Sequence, residues 1–213
     1  MARLQLAAAV AAAMVVTTEA SKLPIATTTT QWDVVVYGST PGGIMAAVAA
    51  ANESAAVVLV SPTAHVGGMT ASGLGQTDIG NPAVVGGLAA AFFDAVCAAY
   101  NRTGPCYTYE PHVAEDVFLA LMAAQPTLTL VLNDSLVGLG MDGAAIRNMT
   151  TASGAVWSAA VFIDASYEGD LLAAAGVSYA VGREGVTVYN ESLAGRLFVP
   201  NACVFVLGGV GET

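Results

Sequence analysis

The chain has 213 residues, 55% of them apolar and only 10% charged, with a formal net charge of -10. This is enough for one domain of ordinary size, or one domain and part of another, with ample material for a core. Lys22 is the only lysine, so phosphate backbones find almost nothing to hold and nucleic acid is excluded as an expected partner.

At the N-terminus Arg3 precedes an apolar run from Leu4 to Val16, and Thr18-Glu19-Ala20 stands before Ser21. The run is shorter than the roughly 20 residues that span a bilayer, and a small-x-small site suits cleavage of a secretory signal peptide. Residues 1–20 are therefore expected to be a signal peptide, leaving no stable membrane span in the mature chain, and 21–31 a low-complexity linker around Thr27 to Thr30. Five of the seven asparagines, Asn52, Asn101, Asn133, Asn148 and Asn190, sit in N-x-Ser/Thr sequons, which agrees with a secreted or secretory-pathway glycoprotein. Cys97, Cys106 and Cys203 are too few for a disulfide scaffold and show neither a C-x-x-C motif nor zinc spacing. In an oxidising compartment Cys97 and Cys106 can close a small loop; burial as small hydrophobes is the other reading.

Trp32 opens the folded part. An apolar β-branched strand, Val34 to Tyr37, enters a glycine turn running from Gly38 through Ser39, Thr40, Pro41 and Gly42 to Gly43. An alanine-rich helix leaves at about Gly42 and reaches Asn52, and a second apolar strand follows from Val57 to Val60. This is a βαβ unit of the length that a dinucleotide fold requires. A phosphate needs backbone N–H groups aimed at it with no side chain in the way, and a glycine turn into a helix N-terminus supplies both. Thr40 stands where glycine is usual, and Ser61 stands at the end of the second strand where an acid usually holds the ribose hydroxyls.

The stretch from Pro62 to Pro82 is too rich in glycine for regular structure, yet Met69, Leu74 and Ile79 are apolar, so it is expected to fold against something and to be able to wrap a ligand. A helical pattern runs from Val84 to Tyr100, and a second helix starts at Pro111 and reaches about Ala124. Thr127 to Leu132 reads as a strand. Three more strand-like pieces, Leu136 to Met141, Ala144 to Thr150 and Val156 to Asp164, are separated by Asp142-Gly143 and Ser153-Gly154. The turn spacing predicts an antiparallel meander leading into a buried strand. A helix from roughly Tyr167 to Ala175 stops at Gly176, and Val177 to Thr213 carries strand-like fragments without closure.

The segments VVVYGSTPGGIMAAVAA, HVGGMTASGLGQTDIGN, YEPHVAEDVF and VFIDASYEGDLLAAAGV, in this order, resemble a family of FAD-dependent oxidoreductases in the two-dinucleotide-fold, glutathione-reductase-like flavoprotein superfamily. The resemblance covers about Trp32 to Arg196. It implies an α/β fold: a Rossmann-like FAD-binding domain with a parallel sheet, helices on both faces and an antiparallel β-meander insertion. By it the domain runs over 32–176 and a substrate domain begins at 177–213. Gly38 to Gly43 would cradle the FAD pyrophosphate and Ser61 would sit at the adenosine ribose. Gly67, Gly68, Met69 and Thr70 would run beside the flavin, the backbone near Leu136 would touch adenine, and Ala165-Ser166 would approach the cofactor again. His65 lacks the spacing of the covalent flavin-histidine pattern, so noncovalent FAD is expected.

His65 and His112, the only histidines, are candidates for acid–base work, and each also has an ordinary structural reading. Flavoproteins of this kind close the flavin site with a segment near their C-terminus; none is found before Thr213, so the chain is expected to be a truncated, incomplete product. The expected function is hydride transfer between an unknown small-molecule substrate and flavin. The alternatives are a non-catalytic nucleotide-binding remnant or partner-dependent fragment and, less well matched because of the long glycine loop, a nicotinamide dehydrogenase.

Overall fold

The computed structural model describes residues 31–180, 185–190, 192 and 205–208. The expected signal peptide, nearly all of the linker, and Cys203 lie outside the described residues.

Strand β1 covers Gln31–Tyr37 and thus takes in the last residue assigned to the linker. Helix α1 (Pro41–Asn52) follows, with proline in its first turn and Thr40 as its N-cap. Strand β2 (Val57–Val60) is buried throughout. Glycine density predicts an irregular loop beyond it, but the structure holds one helical turn there, α2 (Gly68–Ala71), and a 3-10 turn over Pro82–Val84. That separate turn is why α3 (Gly87–Ala99) starts later than the apolar periodicity suggests. Helix α4 (Pro111–Ala123) agrees with its proline signal.

Strand β3 (Leu128–Val131) precedes the meander of β4 (Leu136–Asp142), β5 (Ala145–Thr151) and β6 (Val156–Asp164). Two short helices, α5 (Asp170–Ala174) and α6 (Val186–Tyr189), and strand β7 (Phe205–Gly208) complete the described elements.

The sheet has seven strands in the order β3-β2-β1-β6-β5-β4, with β7 also on β6. Strands β1, β2, β3 and β6 run parallel; β4 pairs antiparallel with β5, and β5 with β6, as the turn spacing predicts. Strand β6 changes partner along its length. Its first half pairs with β5 at Val156 to Ser158, and its last residues, Val161 to Asp164, pair with β7. Thus a strand from the segment assigned to a second domain joins this sheet.

Alternation along the parallel strands divides the core in two. Val36, Leu59 and Ile163 face one side, where α1, α3 and α4 supply Ile44, Val48, Phe92, Val96, Val117 and Phe118. Phe92 and Phe118 stack with ring centroids 4.4 Å apart. Val35, Tyr37, Val58, Val60 and Phe162 face the other, against Ile146, Met149 and Trp157 of the meander and Leu171 of α5. Helices therefore lie on both faces, but unequally: three long ones on one, and one short helix with the meander on the other. Cys97 of α3 is disulfide-bonded to Cys106, which resolves the two readings of that pair. Among the described residues no helix is long and apolar enough to cross a membrane.

Candidate cofactor site

Parallel pairing brings the C-terminal ends of β1, β2 and β6 side by side, and each runs into a loop at the same edge of the sheet. The glycine turn lies at their centre. Gly38 N–H donates to Val60 O at 2.8 Å, and Ala165 N–H donates to Tyr37 O at 2.8 Å, so the β6 end crosses directly under the turn. The contact leaves no room for side chains. A Cβ on Gly38, which has φ +102°, would lie 2.6 Å from the Ala165 carbonyl carbon. A Cβ on Gly43 would collide with the Gly38 carbonyl and stand 2.7 Å from the Ala165 Cβ.

Thr40 accounts for its own presence. Its buried Oγ1 accepts the Gly43 N–H at 3.2 Å and donates to Ala165 O at 2.9 Å, capping α1 and tying the turn to β6. A glycine here could make neither bond. Pro41 has no N–H to satisfy, and among the described residues the amides of Ser39, Thr40 and Gly42 have no hydrogen-bond partner. Three unpaired donors at the N-terminus of a 12-residue helix, above a floor closed to side chains, fit a pyrophosphate.

Ser61 follows β2 directly, and its side chain turns inward. It is 0% exposed, and its hydroxyl is 2.7 Å from Ser39 Oγ and 3.1 Å from Thr63 Oγ1. Thr63 Oγ1 in turn donates to His65 O at 2.8 Å. Ser61 thus locks the turn to the loop after β2 from below.

Of Gly67, Gly68, Met69 and Thr70, the first reaches the glycine turn directly. Gly67 N–H donates to Ser39 O at 2.8 Å, and Met69 N–H donates to Tyr167 Oη at 2.7 Å. Ala165 and Ser166 are buried under the turn; Ser166 Oγ donates to Asp164 Oδ1 at 2.7 Å and accepts the amides of Gly169 and Asp170. Asp164, fully buried, also accepts Leu172 N–H at 2.8 Å. These bonds fold 165–169 into a turn and explain why α5 begins at Asp170 and not near Tyr167. The Leu136 N–H donates to Tyr37 Oη at 3.1 Å.

His65 Nδ1 lies 3.0 Å from Glu115 Oε1, which also accepts Val66 N–H at 3.1 Å. The His65 side chain is 78% exposed and that of Glu115 21%, so α4 anchors the loop through the carboxylate and the imidazole rides on it. His112 lies 4.0 Å from Glu110 at the start of α4, where Tyr100 Oη donates to Glu110 at 2.9 Å. No described contact brings His112 to the glycine turn. Two groups near the site have shifted acidities. Burial, and then the charges of Glu168 and Asp164, hold the Asp170 carboxyl above its ordinary range. Burial raises the Tyr37 phenol, against the Leu136 hydrogen bond and with Asp170, Asp164 and Asp134 adding to it.

Nothing local in the sequence marks Thr63, Glu115, Asp164 or Tyr167 as part of this site. Only the capping role of Thr40 had a local signal, a threonine directly before proline and a helix.

A family model described as FAD dependent oxidoreductase matches residues 33–212. The chain belongs to the FAD dependent oxidoreductase family. No curated protein matches it. Among solved structures it is similar to L-proline dehydrogenase from P. horikoshii, with a TM-score of 0.55 and 12% identity over 74% of this chain and 59% of that one. It is also similar to the flavin-dependent brominase Bmp2, with a TM-score of 0.50 and 14% identity over 73% of this chain and 43% of that one. At such identities the likeness is one of fold, and the chain spans little more than half of the first structure. The family's cofactor is FAD, and the glycine turn of this chain fits its pyrophosphate.

Proposed function

We propose that this chain is the FAD-binding portion of a flavoprotein oxidoreductase that binds its cofactor noncovalently and exchanges a hydride with a small-molecule substrate. The observation that carries this is the meeting of three parallel strand ends at one glycine turn, with the amides of Ser39, Thr40 and Gly42 unpaired among the described residues. Bound FAD supplies the redox chemistry. The residues of the chain bind and orient: the three amides and the α1 dipole take negative charge, Gly38 and Gly43 keep the approach open, and Thr40 and Ser61 hold the turn rigid beneath it. The loop from Gly67 to Thr70 borders the same opening through Gly67 N–H and Ser39 O.

Reconstitution of the purified full chain with FAD tests this. A yellow protein that keeps stoichiometric FAD through gel filtration is the expected result; a folded chain that never retains FAD overturns it, and would favour a non-catalytic remnant.

Secretion with N-linked glycosylation belongs to the same proposal. The Cys97–Cys106 bond and the exposure of Asn52, Asn101, Asn133 and Asn190 support it. Asn148, by contrast, lies in β5 with its side chain over Gly140. Expression in a secreting eukaryotic host is expected to give a mature N-terminus at Ser21 and a mass that falls on removal of N-linked glycans. An intact, unmodified chain retained in the cell would contradict it.

A further inference from the structure

Tyr167 joins the two loops that would embrace the cofactor. It follows Ala165 and Ser166, whose backbone is fixed under the glycine turn by Thr40 and by the Asp164 hydrogen bonds. From that fixed base its phenol crosses to the second loop, where the oxygen accepts Met69 N–H at 2.7 Å. Gly68 is shaped to this contact, because a Cβ there would collide with Tyr167 Oη. A phenol that accepts one hydrogen bond still has its own proton to give, and among the described residues the Tyr167 hydroxyl has no other partner. The ring is half-buried, so this proton is next to the opening and not inside the core.

We infer that Tyr167 is a cofactor-positioning residue, which clamps the loop at Gly68-Met69 in its binding geometry and donates its hydroxyl proton to an oxygen of bound FAD. The inference rests on the proposal that FAD occupies this site. A phenylalanine keeps the ring packing and removes both bonds, so Tyr167→Phe separates hydrogen bonding from bulk.

The test compares the full chain with its Tyr167→Phe and Gly68→Ala variants, each titrated with FAD. Loss of the two bonds should weaken FAD binding roughly three- to tenfold. It should also shift the bound-flavin absorption band and speed amide exchange at Met69 in the FAD-free protein. Gly68→Ala displaces the phenol from the other side and should change the flavin band in the same sense. Its effect on FAD affinity should be smaller in the Tyr167→Phe background than in the wild type, because the two changes remove the same contact. Wild-type FAD binding with unchanged affinity, band and Met69 exchange in Tyr167→Phe overturns the inference alone. Failure of the wild type to bind FAD overturns the site proposal and this inference with it. Faster Met69 exchange without any change in affinity or band would leave only a structural tie and would also refute the positioning role.

Discussion

The chain carries two glycine-rich stretches, and they use the residue in opposite ways. In the turn at Gly38 to Gly43, glycine is demanded by its neighbours: added Cβ atoms would meet the backbone of Ala165 or Gly38 itself. In the loop from Gly67 onward the first part is like this, with Gly67 against the Phe118 ring, Gly68 against Tyr167 and a Cβ on Gly75 only 3.1 Å from the Tyr109 carbonyl oxygen. At Gly73, Gly80, Gly86 and Gly87 a Cβ would meet nothing within 4 Å. Apolar side chains stand open along the same stretch, Met69 being 53% and Val84 77% exposed. The turn is thus a finished cradle, while the far end of the loop is a surface whose glycines are not set by packing. Glycine density alone does not distinguish them.

The sharpest way to break this contrast is Gly43→Ala. Forcing a methyl group between Gly38 and Ala165 should cost about 3 kcal/mol or more and lower Tm by about 6–12 °C. Calorimetry that finds less than a degree of change would show that the turn is looser than its contacts indicate. Next in size, loss of the Cys97–Cys106 bond in Cys97→Ser/Cys106→Ser should cost about 2–3 kcal/mol through loop entropy, read as a lower urea midpoint.

Much of this was legible in the sequence, for reasons that differ by element. The βαβ unit was readable because a buried parallel strand is a short β-branched run, and Val34 to Tyr37 and Val57 to Val60 are two such runs at the spacing of one intervening helix. The meander was readable because Asp142-Gly143 and Ser153-Gly154 are local turn signals. Contacts between distant segments had no such signal. Thr40 looked like a flaw in the fingerprint until its hydroxyl was found on Ala165, 125 residues away. Tyr167 likewise gains meaning only when β6 lies beside β1 and brings it to Met69. Ser61 stands at the end of β2, and that its short side chain turns inward to Ser39 is another contact with no local signal.

Thr40→Ala then sharpens the comparison at intermediate scale. It removes the cap and the tie to Ala165 but leaves the glycines, and should cost about 1–2 kcal/mol by chemical denaturation. At the open end of the loop the sign should reverse. Gly80→Ala meets no atom, and by restricting the unfolded chain it should be neutral or stabilise by up to about 1 kcal/mol.

The smallest effect expected is pH-dependent. The raised Asp170 carboxyl means that the folded chain holds this proton more tightly than the unfolded chain. Its stabilising contribution is full below the ordinary carboxylate pKa and is lost as pH rises through the raised value. Asp170→Asn should therefore raise Tm slightly at neutral pH and lose that advantage near about pH 3.5, a difference that scanning calorimetry at the two pH values can read.

The central claim, that the glycine turn holds the FAD pyrophosphate, is tested most directly by amide hydrogen exchange with and without FAD. The expected result is slowed exchange at Ser39, Thr40 and Gly42, whose amides have no partner among the described residues, with little change at Gly80 and Gly86. Bound FAD that leaves those three amides exchanging as before would contradict it.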